Sequence, residues 1–96
     1  MNAVKLKTIT QDELAKILIE HAKWLKTAGE GKPADLNCTD LRGFDLRGAC
    51  LRKVNLSYTD LRNADFTDAD LTGANLWGAN LTRTNLEGTI LTNTTT

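Results

Sequence analysis

The 96 residues carry twelve basic and twelve acidic side chains, a formal net charge of zero, so the whole chain is no electrostatic magnet for nucleic acid or anionic membrane. The length suits one domain. No run of about 18 apolar residues is present to span a bilayer, and Met1 to Lys7 lack the apolar core of a signal peptide; the expectation is a cytoplasmic protein with no membrane association and no direct binding of nucleic acid.

The chain opens with Ala3 to Thr8, a short alternation that sets Val4 and Leu6 on one face. Such a segment either pairs as a small strand with the rest of the chain or a neighbouring one, or frays. Thr10-Gln11-Asp12-Glu13 then reads as a capping box. It starts a helix over about 11–28, with Leu14, Ile17, Leu18, His21, Trp24, Leu25 and Ala28 on one wide stripe. Gly29 suits the left-handed conformation that ends a helix, and Gly31-Lys32-Pro33 prevents its resumption. His21 is the sole histidine; with no ligand-spaced neighbour beyond Glu20, it reads as structural rather than as a metal ligand or catalyst.

From residue 34 to 93 a large apolar residue returns at every fifth position, from Leu36 through Leu91 with Phe66 the single non-leucine. A mostly small residue stands two places before each centre, and Asp or Asn stands between them in ten of twelve units, Cys50 and Ile90 being the exceptions. A strict period of five fits neither helix nor simple strand. It predicts very short extended segments, each followed by a turn made from the two polar or Gly slots. Four such sides close a coil of twenty residues, with like side chains stacked about 4.8 Å apart. Centres and small residues face inward and the rest outward.

Ala64-Asp65-Phe66, Ala69-Asp70-Leu71, Ala74-Asn75-Leu76 and Ala79-Asn80-Leu81 resemble the A-(D/N)-L-x-x consensus of pentapeptide-repeat proteins. The resemblance implies a mainly β fold: a right-handed quadrilateral β-helix of about three coils over 34–93, with residues 1–33 an N-terminal segment whose α-helix serves as cap, and 94–96 a tail. Phe44 and Val54 are bulky for the small slot, and Phe44 is expected to distort or widen the first coil. A solenoid mouth exposes apolar side chains and needs a lid, which the helix supplies at one end. At the other, either the tail folds across the mouth or a second molecule stacks there. Family members commonly dimerise through C-terminal coils, which points to an isologous homodimer.

Counting by twenty sorts the outward side chains. One side shows Tyr58 and Trp77 and little charge; the next shows Arg42, Arg62 and Arg83 against Asp40 and Asp60. The third shows Asp45, Asp65, Asp68 and Glu87 against Arg47, and the last shows Arg52 and Lys53 against Asp70. Some family members resemble DNA in width and charge and inhibit DNA gyrase. Three coils rise only about 15 Å, a short row to replace one phosphate per roughly 1.7 Å of duplex. The sequence offers no catalytic constellation, cofactor loop or metal cluster, and Cys38 and Cys50 read as free thiols. The expected function is therefore a non-enzymatic interaction or scaffold module with an unidentified protein partner, held at Tyr58 and Trp77 or at Asp45, Asp65, Asp68 and Glu87. The alternative is a DNA mimic that inhibits a DNA-binding protein such as gyrase.

Overall fold

A repeat whose apolar centres recur every fifth residue must turn after every three extended ones, and the geometry of that turn decides the fold. In the computed structural model, which describes residues 5–27 and 29–96, the carbonyl of a centre accepts from the N–H three residues on. Leu46 O takes Ala49 N at 3.2 Å, and Leu71 O takes Ala74 N at 2.9 Å. The second residue after each centre has positive φ without exception, whether Gly43, Asn63 or Arg83. Both features mark a type II turn. Gly, Asn and Asp tolerate this conformation, whereas Lys53, Tyr58 and Arg83 hold it at a cost of roughly 1–2 kcal/mol each, which the ladders on both flanks outweigh.

Between turns the extended segments are too short for conventional strands. Among the described residues only β1 (Lys7–Thr8) and β2 (Thr39–Asp40) reach two residues; the remaining sides are joined by single parallel bridges. Every such bridge joins residues twenty apart: Asp45 with Asp65, Asp65 with Asn85, Asn75 with Thr95. The chain thus returns to the same side after four five-residue units. Leu36, Leu41, Leu46, Leu51, Leu56, Leu61, Phe66, Leu71 and Leu76 are buried inside, alongside Val54, Ala64, Ala69 and Ala74. Burying one such large side chain contributes roughly 1.5–3 kcal/mol relative to leaving it in water.

Phe44 does not distort the coil as expected. Its N–H still donates to Leu41 O (3.1 Å) and its carbonyl still accepts from Asp65 N (3.0 Å). The ring is only half-buried, at the N-terminal mouth where Ile9 also packs, so its bulk finds room that an interior coil would deny it. The stretch 94–96, read as a tail, continues the ladder instead of crossing the mouth: Leu76 N donates to Thr95 O (2.7 Å) and Thr95 N to Ala74 O (2.9 Å).

The lid is α1 (Gln11–Lys26), which begins with both halves of the capping box in place: Glu13 N donates to Thr10 Oγ1 and Thr10 N to a Glu13 carboxylate oxygen. It stops at Thr27, a little short of the expected end; Ala28, like Val4, lies outside the described residues. Ile9 just before the cap and Leu14 four residues into the helix both join the core, the placement of a hydrophobic staple. Ile17 and Leu18 pack against it as well. Gly31 seats the lid. Its φ is +66°, and a β-carbon there would lie 2.8 Å from Lys23 Cβ and 2.9 Å from Trp24 N, so only glycine lets the return loop press against the helix.

The N-terminal segment also closes the hydrogen-bonding edge of the first coil, which would otherwise be an open strand edge. β1 pairs in parallel with β2, Lys7 opposite Thr39 and Thr8 opposite Asp40. One side further on, the Gln11 carboxamide does a strand's work: Nε2 donates to Asp45 O (2.9 Å) and Oε1 accepts from Asp45 N (3.1 Å). His21, fully buried, accepts at Nδ1 from Ala34 N (2.9 Å) and faces Arg52 O with Nε2 (2.7 Å). That pair of partners assigns the neutral tautomer protonated on Nε2.

Candidate functional site

The outward Asp and Asn residues first serve their own turns. In all ten units that carry one, Oδ1 accepts from the backbone N–H two residues on, as in Asp45 to Arg47 (3.1 Å) and Asn75 to Trp77 (2.9 Å). This is the Asx turn, which needs a carbonyl-type oxygen and not a charge, so Asp and Asn alternate freely at the slot. Where Arg sits two places after Asp, the carboxylate also grips it through two bonds. Asp40 holds Arg42 (2.9 and 2.9 Å), Asp45 holds Arg47 (3.0 and 3.0 Å), and Asp60 holds Arg62 (2.8 and 2.6 Å). Residues two apart in an extended segment share a face, so Asp-Leu-Arg spacing already carried this signal in the sequence.

These contacts depress the carboxyl groups. Arg47 holds Asp45 down to about 2, Arg42 and Arg62 lower Asp40 and Asp60, and the hydroxyl and N–H of Thr67 and Thr72 lower Asp65 and Asp70. A carboxyl lowered below its ordinary 3.8 stabilises the fold fully above that value and loses the contribution as pH falls through the folded one. Thermal melts are therefore expected to hold level above about pH 5 and to fall between about pH 4 and 2. A midpoint unchanged down to about pH 2, the Asp45 value, would show that the turns do not depend on ionised carboxylates.

The structure brings the four acidic candidates to one face but does not leave them equal. Asp45 is committed to Arg47 and Asp65 to its own turn with Thr67. Asp68, at a left-handed corner, and Glu87 lie side by side, Asp68 N donating to Glu87 O at 3.0 Å. Among the described residues neither is in an ion pair.

Tyr58 and Trp77 are neighbours through the backbone ladder. Tyr58 N donates to Trp77 O (2.8 Å), and both side chains are exposed, 55% and 57%. The Tyr58 ring lies flat over Gly78, where an added β-carbon would meet the ring at 2.6 Å. With Leu6 and Cys38, Tyr58 and Gly78 line a hollow of about 400 Å³, and Trp77 stands outside that lining. Cys38 and Cys50 are both free thiols. At the C-terminal end Ile90 and Leu91 are 48% and 46% exposed, and Leu81 and Leu86 half-buried. Among the described residues no helix is long and apolar enough to cross a membrane.

The roles of Gln11 and His21 in closing the first coil were not legible in the sequence. His21 stood out only as the lone histidine on the helix stripe, and its partners Ala34 and Arg52 are 13 and 31 residues away.

Comparison with known proteins agrees with this geometry. The family model for pentapeptide repeats matches eight copies over residues 49–88. A pentapeptide repeat protein from the Arabidopsis thaliana thylakoid lumen superposes with a TM-score of 0.63 at 33% identity, over 64% of this chain and 42% of that one. The pentapeptide repeat protein Rfr23 from the cyanobacterium Cyanothece 51142 is 37% identical over 67% of this chain and 48% of its own, with a TM-score of 0.42. The chain thus spans less than half the length of either structure. No curated protein matches the sequence. The five-residue period, the left-handed corner in every unit and the bridges twenty residues apart have one common explanation: the chain belongs to the pentapeptide-repeat family.

Proposed function

We propose that the chain is a right-handed quadrilateral β-helix of about three coils that works in the cytoplasm as a non-enzymatic interaction or scaffold module. Its protein partner is held on the side of Tyr58 and Trp77, and it forms a homodimer through the C-terminal coil. The observation that carries the partner site is that two residues joined by a backbone ladder bond, Tyr58 and Trp77, both leave their aromatic side chains exposed. Large amphipathic rings held with little loss of side-chain freedom are the usual anchors of protein interfaces. Exposed Ile90 and Leu91 support the dimer. The acidic face supports DNA mimicry less, since Asp45 is neutralised by Arg47 and Asp65 is engaged in its own turn.

Capture of partners from lysate on immobilised protein tests the reading. Trp77→Ala is expected to change stability by no more than about 0.5 kcal/mol, as for other outward positions, yet to abolish capture, while Asp68→Lys with Glu87→Lys leaves it intact. Capture lost in the charge-reversed variant and competed by duplex DNA would overturn the reading in favour of mimicry. A large stability loss in Trp77→Ala would mean the ring acts in folding instead. For the dimer, sedimentation of Leu91→Lys beside the parent is decisive: a parent that stays monomeric at every concentration has no such interface.

A further inference from the structure

Four units of the chain place arginine immediately after the central leucine: Arg42, Arg47, Arg52 and Arg62. In three of them the outward residue before the leucine is an aspartate, and its carboxylate takes the backbone N–H and the guanidinium fork together. In the fourth that residue is Cys50, which brings no carboxylate, so Arg52 keeps the same position without the partner its counterparts have. Among the described residues no carboxylate lies within 4 Å of its guanidinium. Asp70, one coil on, feels the Arg52 charge but is engaged by Thr72.

This unmatched guanidinium does not stand on a flat surface. Arg52 lines a cleft of about 450 Å³ between the last turns of α1 and the first coil, with Lys26 and Lys53 beside it and Ala22, Leu25 and Cys50 as the apolar part of the wall. Neither lysine is ion-paired among the described residues. Three full positive charges outweigh the roughly half negative charge of the helix C-terminus. The cleft is also held still: the Arg52 carbonyl is pinned by His21, and the Lys53 stem lies beside Gly73 of the next coil.

We propose that this cleft is a docking site for an acidic peptide segment of a partner protein. A glutamate or aspartate of the segment takes the place of the missing aspartate on Arg52, and a neighbouring apolar side chain rests on Leu25 and Ala22. Charge complementarity selects the acidic residue, since a planar guanidinium fork binds carboxylate through two parallel bonds. The apolar wall selects a peptide over nucleic acid. A nucleic-acid track needs positive charge running along a backbone, and beyond the cleft this side of the coil offers Asp70, Thr72, Gly73, Thr92 and Asn93. The site is separate from Tyr58 and Trp77, so the outcome of the Trp77 test leaves it untouched.

The test is an NMR titration of the full-length, isotope-labelled chain with an acetylated and amidated hexapeptide of alternating glutamate and leucine. Shifts are expected at the Arg52 side chain and at the amides of Ala22 and Leu25. Cys50→Asp is the informative variant, since it rebuilds the internal pair seen at Arg42, Arg47 and Arg62 and should leave the fold at least as stable. Affinity is expected to fall about tenfold or more in Cys50→Asp and in Arg52→Gln, and equally for the peptide with glutamine in place of glutamate, as loss of a charged hydrogen-bonded pair entails. Unchanged binding in Cys50→Asp, equal binding of the glutamine peptide, or no binding by the parent would each overturn the proposal. So would duplex DNA, or inorganic phosphate alone, occupying the same residues as tightly as the peptide.

Discussion

Replacing Phe66 with alanine is expected to cost about 3–5 kcal/mol, the range for emptying a buried aromatic site. The ring is fully buried at the middle of the coil, in the column between Leu46 and Leu86. Its backbone is held on both sides, the N–H by Asn85 O (2.8 Å) and the carbonyl by Ala69 N (2.9 Å) and Thr89 Oγ1 (2.7 Å). The walls therefore have little freedom to collapse into the void. A chain of this length has about 5–15 kcal/mol of total stability, so the loss is a large share of it. In a solenoid it also falls on the coupling between neighbouring coils. Phe66→Leu restores the residue type of every other centre and should recover most of the loss, leaving a deficit under about 1.5 kcal/mol. Urea unfolding at constant slope measures both. A cost below about 1 kcal/mol for Phe66→Ala would mean that the interior is not close-packed at this level.

His21→Ala is expected to cost about 2–4 kcal/mol for a different reason. It removes one acceptor and one donor at once and strands Ala34 N–H and Arg52 C=O at the junction of lid and coil, each at roughly 1–3 kcal/mol. The loss should be local first. Ala34 should lose its hydrogen-exchange protection, and Trp24, stacked on the His21 ring with centroids 5.5 Å apart, should change its emission in a Trp77→Phe background. Nitrogen shifts of the parent imidazole are expected to report the neutral Nε2–H form. A proton on Nδ1 would rule out the bond from Ala34 N and with it the bridging role. Protection at Ala34 that survives the substitution would do the same.

The repeat itself announced the coil, because five-residue spacing leaves no other way to bury a leucine in every unit; Leu36 through Leu76 lie where the count placed them. The capping box at Thr10 was legible for the same reason, being set by contacts within a few residues, whereas the helix ends at Lys26 on an extended Thr27, ahead of the stop expected at Gly29. The site was harder to read. Counting by twenty put Tyr58 and Trp77 on one side, but the hollow beside Tyr58 depends on Leu6, which reaches Cys38 only because β1 pairs in parallel with β2. On the acidic side, the count did not show that Asp45 and Asp65 are engaged in their own turns, with Arg47 held by the first.

By itself, then, the sequence determined the period, the inward and outward faces, the turn positions and the presence of a lid, all consequences of local periodicity and side-chain polarity. Only the tertiary structure decided how the lid meets the coil: Gln11 completing the edge at Asp45, and His21 joining Ala34 to Arg52. Those contacts span 13 to 34 residues. They follow no repeat, and they exist because backbone donors and acceptors at an open end must find partners wherever the folded chain brings one within reach.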